Sequence, residues 1–202
     1  AELGGSLLRD PQHLGPDWTS TMAARIRDAG GTILMRTTAS GYWEHDLVTL
    51  VQRITEPGQV PTDGTAQRRW HVRAGKVVLA TGCVERPIAF AHNDRPGVML
   101  SQAVRTYVRR FGVLPGKRVV IATNNDDAYL TAQILGDAGA EVVAILDARS
   151  ALSAVASEAQ GRFTVHTNAV PKAATGGMHQ LKSVKATVSA QDVSYDADLL
   201  AV

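Results

Sequence analysis

Residues 118–147 alternate between strand and helix patterns, and this alternation constrains the possible fold more than any other part of the sequence. Two short apolar runs rich in β-formers, Arg118–Ala122 and Glu141–Leu146, flank a stretch in which apolar side chains recur at helical spacing. Gly139 ends the helical stretch, and Asp147 closes the second run. The pattern predicts a βαβ unit in an α/β protein, with an acid at a strand end as in mononucleotide-binding folds.

A second informative stretch runs from Gly75 to Pro87. Its apolar segment Val77–Ala80 lacks polar alternation, which is typical of a strand that is covered on both faces. Open α/β sheets bind ligands beyond the carboxyl ends of their strands. Thr81 and Gly82, which follow this segment, are therefore candidate ligand contacts.

The remaining pattern adds helices and an antiparallel meander. Asp17 is placed to cap a helix that starts at Trp18, and Ser101 is placed to cap another. In the second helix, four apolar residues share one face, which predicts core packing: Val104, Tyr107, Val108 and Phe111. Strands are predicted at 32–38, 46–54, 67–73, 76–80, 163–167 and 181–188.

The turn after the predicted strand Arg118–Ala122 departs from the glycine-rich template of dinucleotide-binding folds. Thr123 and Asn125 occupy its first two glycine positions, and Ala128 occupies the third. A left-handed conformation at the first two would cost a non-glycine residue roughly 1–2 kcal/mol. We therefore expect this turn to bind NAD(P)H poorly and Asp147 to be a strand-end residue.

Composition excludes several classes of function. The net charge of +2 carries no basic stripe, so nucleic-acid binding is not expected, and no apolar run is long enough to cross a bilayer. The six histidines have no metal-ligand spacing, and no catalytic constellation is present. The single cysteine, Cys83, excludes an internal disulfide and is expected to be a packed thiol in a cytoplasmic protein.

Longer motifs resemble one family, the alpha subunit of heterotetrameric sarcosine oxidase. The resemblance is carried by residues 80–100, by Arg105-Thr106-Tyr107 with Phe111-Gly112-Val113, by residues 123–129 and by residues 145–149. Related amine and opine oxidase subunits are also similar. The resemblance implies two nested, three-layer, Rossmann-like FAD/NAD(P)-binding domains of the two-dinucleotide-fold flavoprotein type, with a small antiparallel meander.

The resemblance also implies a function for the whole complex. Sarcosine is oxidised to glycine at a flavin (FAD) on the beta subunit, and electrons pass through FMN to oxygen. Hydrogen peroxide and methylene-tetrahydrofolate are the products, and gamma and delta subunits complete the complex. The alpha subunit holds NAD, or FAD in some relatives, in its first dinucleotide site. The amine chemistry belongs to a partner chain, so no catalytic residue is expected here.

The family's cofactor contacts carry over to a few positions: Gly4, Gly5, Ser6, Ala39, Thr81 and Gly82. The implied domains are an incomplete first dinucleotide-binding domain at 1–90, an inserted nucleotide fold at 91–195 and a truncated return strand of the first domain at 196–202. Both ends read as cut, and the first glycine-rich loop is missing. We therefore expect an inactive fragment of a longer chain.

Two alternative functions stay open from the sequence. The first is a self-contained FAD-dependent NAD(P)H oxidoreductase, which the two-fold layout favours and which Thr123 and Asn125 argue against. The second is a noncatalytic interaction or scaffold module.

Overall fold

A computed structural model describes residues 2–10, 17–56, 58–59 and 64–202. The chain divides into two compact units, Ala1–Cys83 (unit 1) and Val84–Val202 (unit 2). Every residue of unit 2 is among those described. Helices and parallel strands in unit 2 confirm the predicted α/β class.

The described part of unit 1 contains a short 3-10 helix, an α-helix and an antiparallel sheet of three strands. The 3-10 helix is Gly5–Leu8, helix α1 is Trp18–Asp28, and the strands are β1 (Thr37–Trp43), β2 (Leu47–Arg53) and β3 (Gln67–Arg73). Strands β2 and β3 lie where the sequence predicted them. Strand β1 begins at Thr37, so the prediction of a strand at 32–38 is largely wrong. The backbone reverses after Trp43 through His45 and Asp46, both with positive φ, and this reversal sets the β1–β2 pairing.

The run Val77–Ala80 forms no strand, and this prediction is wrong for the chain described here. Val78 is 87% exposed and Leu79 is 78% exposed. An apolar strand is buried only when neighbouring strands pair with it and layers cover its faces. None of the described strands pairs with this run.

Unit 2 is built on a fully parallel sheet of five strands. Its elements, all in the described part of the chain, are β4 (Val98–Met99), α2 (Ser101–Phe111), β5 (Arg118–Thr123), α3 (Asp127–Asp137), β6 (Glu141–Asp147), α4 (Ala154–Ala159), β7 (Val165–His166), β8 (Ala169–Gly176), β9 (Leu181–Val188), β10 (Gln191–Asp196) and β11 (Leu199–Ala201). The parallel sheet has the order β4-β11-β5-β6-β7, and β8, β9 and β10 form an antiparallel meander. The βαβ unit β5-α3-β6 therefore lies where the sequence predicted it.

Alternate side chains of β5 and β6 define two cores on opposite faces of the parallel sheet. Val119 and Ile121 pack with the helices, whereas Val120 and Ala122 pack with the meander. Ile145 of β6 likewise joins the helix side. Successive side chains of a strand point to opposite faces, so a strand buried on both faces must be apolar throughout. Unit 2 is consequently a three-layer arrangement of helices, parallel sheet and meander.

Strand β11 lies between β4 and β5 and pairs in parallel with both. This pairing differs from the prediction that 196–202 returns to the first domain. The three residues of β11 are all buried, because helices cover one face of the strand and the meander covers the other. The unit boundary at Cys83 also lies before the predicted boundary at residue 90.

Helix α2 buries only part of its predicted apolar face. Val104 is fully buried and Val108 packs against the helix-side core, but Tyr107 is 44% exposed and Phe111 is 61% exposed. The prediction of core packing is therefore right for the two valines and wrong for the two aromatic residues. Gly112 ends the helix in the left-handed conformation, with φ 65°.

We expect Gly97→Ala to destabilise unit 2 by about 3 kcal/mol, because steric contact adds to a left-handed backbone. Gly97 has φ +103°, and an added Cβ would lie 2.8 Å from both the Asp198 carbonyl oxygen and Leu181 Cβ. Gly139 is a matched control, since it has φ +89° and open space around its Cβ position. Gly139→Ala should cost about 1 kcal/mol, from the left-handed backbone alone. Urea unfolding followed by far-UV circular dichroism measures both, and equal losses would contradict the steric argument.

Candidate functional site

A cleft of about 620 Å³ opens in unit 2 at the carboxyl ends of β5 and β11. The N-terminal ends of α2 and α3 border it through Ser101 and Asp127. A further part of its lining is formed by Glu85, Arg86, Ile88 and Ala89. Parallel α/β sheets bind ligands at this edge. The polar residues of the lining are Glu85, Arg86, Ser101, Thr123, Asn124, Asn125 and Asp127.

The turn from Thr123 to Asp127 is closed by its own side chains. The Thr123 hydroxyl oxygen accepts the Asn125 N–H at 3.0 Å and lies 2.9 Å from the Asn125 carbonyl oxygen. The Asn125 side-chain oxygen accepts the Asp127 N–H at 3.0 Å. None of these described residues has a positive φ. The turn therefore avoids the left-handed strain that the glycine-rich template would impose on non-glycine residues. Side-chain oxygens of the turn accept backbone N–H groups that a pyrophosphate would need as donors.

Carboxylates occupy the N-terminal end of α3. Arg105 of α2, which is buried, donates to both carboxylate oxygens of Asp127 at 3.0 and 2.5 Å. The Asp126 carboxylate accepts the Ser153 hydroxyl at 2.7 Å and pairs with Arg149 at 2.8 Å. These hydrogen bonds, from Ser153 first and then Arg149, hold the pKa of Asp126 below its usual range. The positive end of the helix dipole is thus already compensated by acids of this chain.

Asp147, at the carboxyl end of β6, is fully buried within a network of hydrogen bonds. Its carboxylate accepts the Tyr129 hydroxyl at 2.7 Å, the Arg149 backbone N–H at 3.0 Å and the Arg149 guanidinium at distances from 2.7 Å. Burial raises the pKa of Asp147, but the bonds from Arg149 and Tyr129 together hold it below its usual range. Burial and the Asp147 bond raise the pKa of Tyr129. The carboxylate is directed into the protein, so it does not present itself to a ribose.

The N-terminal end of α2 is also compensated, by a carboxylate from the segment that enters unit 2. The Glu85 carboxylate accepts the Gln102 N–H at 2.8 Å. Leu100 occupies the N-cap position, so the prediction that Ser101 caps this helix is wrong. Ser101 is instead the first helical residue, and its N–H donates to the Val202 carbonyl at 2.8 Å. The Glu85 carboxylate, from a distant part of the chain, therefore has the capping role that the sequence pattern assigned to the Ser101 hydroxyl.

These contacts do not fit a dinucleotide in the cleft of unit 2. A pyrophosphate at a helix N-terminus requires free N–H donors and a positive potential. Here Asn125 bonds the first N–H of α3, and the carboxylates of Glu85, Asp126 and Asp127 stand at the two helix ends. We therefore derive no step through a nucleotide at this cleft.

The residues predicted from the family to contact a cofactor all belong to unit 1. Gly4 precedes the 3-10 helix with φ 126°, and Gly5 and Ser6 begin the helix. Ala39 lies in β1 next to a register shift, whereas Thr81 and Gly82 are exposed residues outside regular structure. A cleft of about 500 Å³ in unit 1 is lined by Glu2, Leu3, Thr37 and Thr38 among others, which are chain neighbours of these positions. The six assignments stay a prediction.

The described part of the chain also bears on three other expectations, which concern Cys83, metal binding and membrane crossing. Cys83 is exposed, so the expectation of a packed thiol is wrong. Among the residues that the structure describes, no group of three or more His, Cys, Asp or Glu side chains could hold a metal ion. None of the described helices has the length and apolar character that crossing a membrane would require.

Comparison with solved structures finds the same fold in several proteins of low sequence identity. The Lactococcus lactis thioredoxin reductase structure superposes with a TM-score of 0.65 over 98% of this chain and 65% of that chain, at 13% identity. A ferredoxin reductase from Rhodopseudomonas palustris gives 0.63 over 98% and 48%, at 14% identity. L-proline dehydrogenase from P. horikoshii gives 0.58 over 99% and 34%, at 19% identity. Together with the βαβ layout, these superpositions show that the chain shares the α/β fold of those proteins.

Sequence comparison identifies the particular relatives, although no protein-family model matches the chain. The sarcosine oxidase alpha subunit of Corynebacterium sp. (strain P-1) is 46% identical over 171 residues, which is 80% of this chain and 17% of that protein. That of Rhizobium meliloti (strain 1021) is 40% identical over 154 residues, 73% of this chain and 16% of that protein. An opine oxidase subunit of Rhizobium meliloti is 29% identical over 153 residues, 71% of this chain and 28% of that protein. The chain is thus a homologue of the sarcosine oxidase alpha subunit, and it spans less than a third of the length of each of these relatives.

We expect the stability of unit 2 to fall as the pH is lowered through the usual aspartate range and below. The folded-state pKa values of Asp126 and Asp147 lie below their unfolded values, so their contribution is present above the unfolded pKa and is lost at lower pH. Urea unfolding at a series of pH values measures this loss. Arg149→Gln removes a cause common to both shifts and should flatten the pH dependence. An unchanged slope in that variant would contradict the assignment.

Proposed function

We propose that this chain is the dinucleotide-binding part of the alpha subunit of a sarcosine-oxidase-type complex. The complex would oxidise sarcosine to glycine, with hydrogen peroxide and methylene-tetrahydrofolate as products. The beta, gamma and delta subunits would be its partners in the cytoplasm. Identities of 46% and 40% to two sarcosine oxidase alpha subunits support this proposal.

The observation that carries the proposal is the closed turn of unit 2. A reductase that uses NAD(P)H would need an open helix N-terminus in its second nucleotide fold. In unit 2 that end is bonded by Asn125 and bordered by Asp126 and Asp127. A fold that keeps its sheet and helices but has lost its phosphate site is suited to a structural role. We therefore assign no catalytic residue to this chain.

The cofactor of the subunit would lie in unit 1. Gly4, Gly5, Ser6, Ala39, Thr81 and Gly82 would hold NAD, or FAD as in some relatives, chiefly through backbone groups. In the complex, NAD would be bound without turning over, and FAD and FMN elsewhere would supply the electron transfer. The accessible backbone around Gly5, Thr81 and Gly82 is compatible with such contacts, because a nucleotide needs close approach to the main chain.

The test is made on the full-length protein that contains this chain. The protein is purified and denatured, and the released nucleotide is identified by mass spectrometry. A parallel titration with NADH follows flavin reduction. We expect the protein, when it is purified without its partner chains, to release NAD on denaturation. We also expect it to show no flavin reduction by NADH. Released FAD together with tight NAD(P)H binding and robust NADH oxidation would overturn the proposal in favour of a self-contained oxidoreductase. Absence of any bound nucleotide would favour the scaffold alternative instead.

A further inference from the structure

The cleft of unit 2 contains a buried hydroxyl that the fold leaves without a hydrogen-bond partner. Ser101 lines this cleft and is only 4% exposed. Its side-chain oxygen is buried and bonds to no other group among the residues that the structure describes. A buried hydroxyl without a partner lowers the stability of a protein, so such groups are uncommon. The Ser101 hydroxyl is therefore available to bond a ligand in the cleft.

Helix α2 does not use this hydroxyl for its own stability. Leu100 holds the N-cap position, and the Ser101 N–H donates to the Val202 carbonyl at 2.8 Å. The next N–H, from Gln102, donates to the Glu85 carboxylate at 2.8 Å. These N–H groups of the first turn thus have acceptors other than the serine side chain. Capping does not account for a serine at this position.

Much of the remaining lining is apolar and consists of short side chains. Val170 and Pro171 of β8 belong to it, together with five alanines: Ala89, Ala122, Ala128, Ala148 and Ala169. Short side chains leave a broad surface against which a flat ring can lie. Ligand pockets typically combine such an apolar lining with a few polar groups that orient the ligand. At about 620 Å³, the cleft is large enough for a molecule with an aromatic ring.

The charges of the lining favour an uncharged ligand. Its charged residues are Glu85, Arg86 and Asp127, and Asp127 pairs with Arg105 of α2. Two acids and two arginines therefore balance at the cleft. A ligand with a net charge would lose hydration and find no unbalanced charge of opposite sign.

The polar groups of the lining offer both donors and acceptors. The Asn124 side-chain oxygen accepts the Asn125 side-chain N–H at 3.1 Å, which leaves the exposed Asn124 amide nitrogen as a donor. The Ser101 hydroxyl lies at the positive end of the α2 dipole, which favours donation to a carbonyl oxygen. The Asp127 carboxylate has acceptor sites besides the two that Arg105 uses. A carboxamide has a matching carbonyl oxygen and N–H donors.

We propose that the cleft of unit 2 binds an uncharged aromatic carboxamide, whose carbonyl oxygen accepts the Ser101 hydroxyl. The ring lies against the alanines of the lining. The chain supplies binding at this site and no chemical step. This inference goes beyond the proposed function, and it does not depend on which nucleotide unit 1 holds.

The test is a titration of the full-length protein with three probes: benzamide, benzoate and benzamidinium. The probes share one ring and differ in charge, and saturation-transfer difference NMR follows their binding. We expect benzamide to bind with a Kd of about 1 mM, as is ordinary for a molecule of this size. Benzoate and benzamidinium should bind at least about tenfold more weakly, because the cleft does not compensate their charge. No binding of benzamide, or equal binding of a charged probe, would overturn the proposal.

Ser101→Ala distinguishes a ligand-binding hydroxyl from a structural one. We expect the variant to weaken benzamide binding by about tenfold, because the carbonyl loses its donor. We also expect slower hydrogen exchange of α2, because the variant removes a buried hydroxyl that has no partner in the free protein. Hydrogen-exchange mass spectrometry of peptides from α2 and α3 measures this gain in stability in the full-length protein.

Thr131→Val is the matched control. Thr131 is fully buried in α3, and its hydroxyl also bonds to no group in the described part of the chain, but it does not line the cleft. Valine keeps the shape of threonine, so this variant should likewise slow hydrogen exchange and leave benzamide binding unchanged. Lost affinity with gained stability in Ser101→Ala alone supports the proposal. Unchanged affinity in Ser101→Ala, faster exchange of its α2, or an equal loss of affinity in Thr131→Val would overturn it.

Discussion

We expect Leu200→Ala to lower the free energy of unfolding of unit 2 by about 3 kcal/mol. Leu200 is fully buried in β11, between β4 and β5, and it packs with the meander-side core. Truncation removes the transfer free energy of the leucine side chain and leaves a cavity that close-packed neighbours fill only in part. The loss is large because the surrounding positions of the sheet are covered on both faces.

The measurement separates the two units. All three tryptophans, Trp18, Trp43 and Trp70, lie in unit 1, so tryptophan fluorescence follows unit 1 during urea unfolding. Far-UV circular dichroism follows the helices and strands of both units. Leu200→Ala should shift the circular dichroism transition to lower urea and leave the fluorescence transition in place. If β11 instead belonged to the first domain, as the sequence predicted, the fluorescence transition would move.

Leu79→Ala is the matched control, because it makes the same chemical change at a side chain that is 78% exposed. We expect it to change the stability by no more than about 0.5 kcal/mol. A loss from Leu79→Ala comparable to that from Leu200→Ala would contradict the burial assigned to these two leucines.

The βαβ core of unit 2 could be predicted from the sequence because its signals are local. The apolar runs of β5 and β6, the helical spacing in α3 and the glycine after it act within a few residues of one another. The observed elements begin and end close to the predicted residues. The two cores could also be predicted locally. A strand that is covered on both faces is apolar throughout, so its own sequence shows that its side chains enter a core on each side.

The predictions that were wrong depended on distant partners. Val77–Ala80 has the composition of a buried strand, but burial requires neighbours that its own residues do not specify. Periodicity places Tyr107 and Phe111 with Val104 on α2, but it does not state how wide a surface the sheet offers to that helix.

The site of unit 2 could be predicted only in part. Comparison with the glycine-rich turn of dinucleotide-binding folds shows from the sequence alone that Thr123 and Asn125 stand at glycine positions. The acids Asp126 and Asp127 at the start of α3 could be predicted as charges that complement the helix dipole. The roles of Glu85 and Arg105 could not be foreseen, because each lies far along the chain from the group that it contacts. Arg149 was also missed, although an arginine two residues after a strand-end acid could have signalled an internal ion pair.

We expect Asp147→Ala to destabilise unit 2 by about 3 kcal/mol as well, for an electrostatic reason. The variant leaves the buried Tyr129 hydroxyl without its acceptor and removes a bidentate partner of Arg149. Asp192→Ala removes an exposed pair with Lys172 and should cost less than about 1 kcal/mol, which makes it the matched control. Equal losses in the two variants, measured by urea unfolding, would contradict the network.

A comparison with Asp147→Asn and Tyr129→Phe separates the roles of charge and hydrogen bonding. Asparagine keeps an acceptor for Tyr129 but not the charge opposite Arg149, so its loss should be intermediate. The losses from Asp147→Ala and Tyr129→Phe should not add in the double variant, because both remove the same bond. In the full-length protein, none of these variants should alter the bound nucleotide, since the carboxylate is directed away from any ribose. A nucleotide lost in proportion to the lost carboxylate would show instead that Asp147 binds the cofactor, and that unit 2 is a working nucleotide fold.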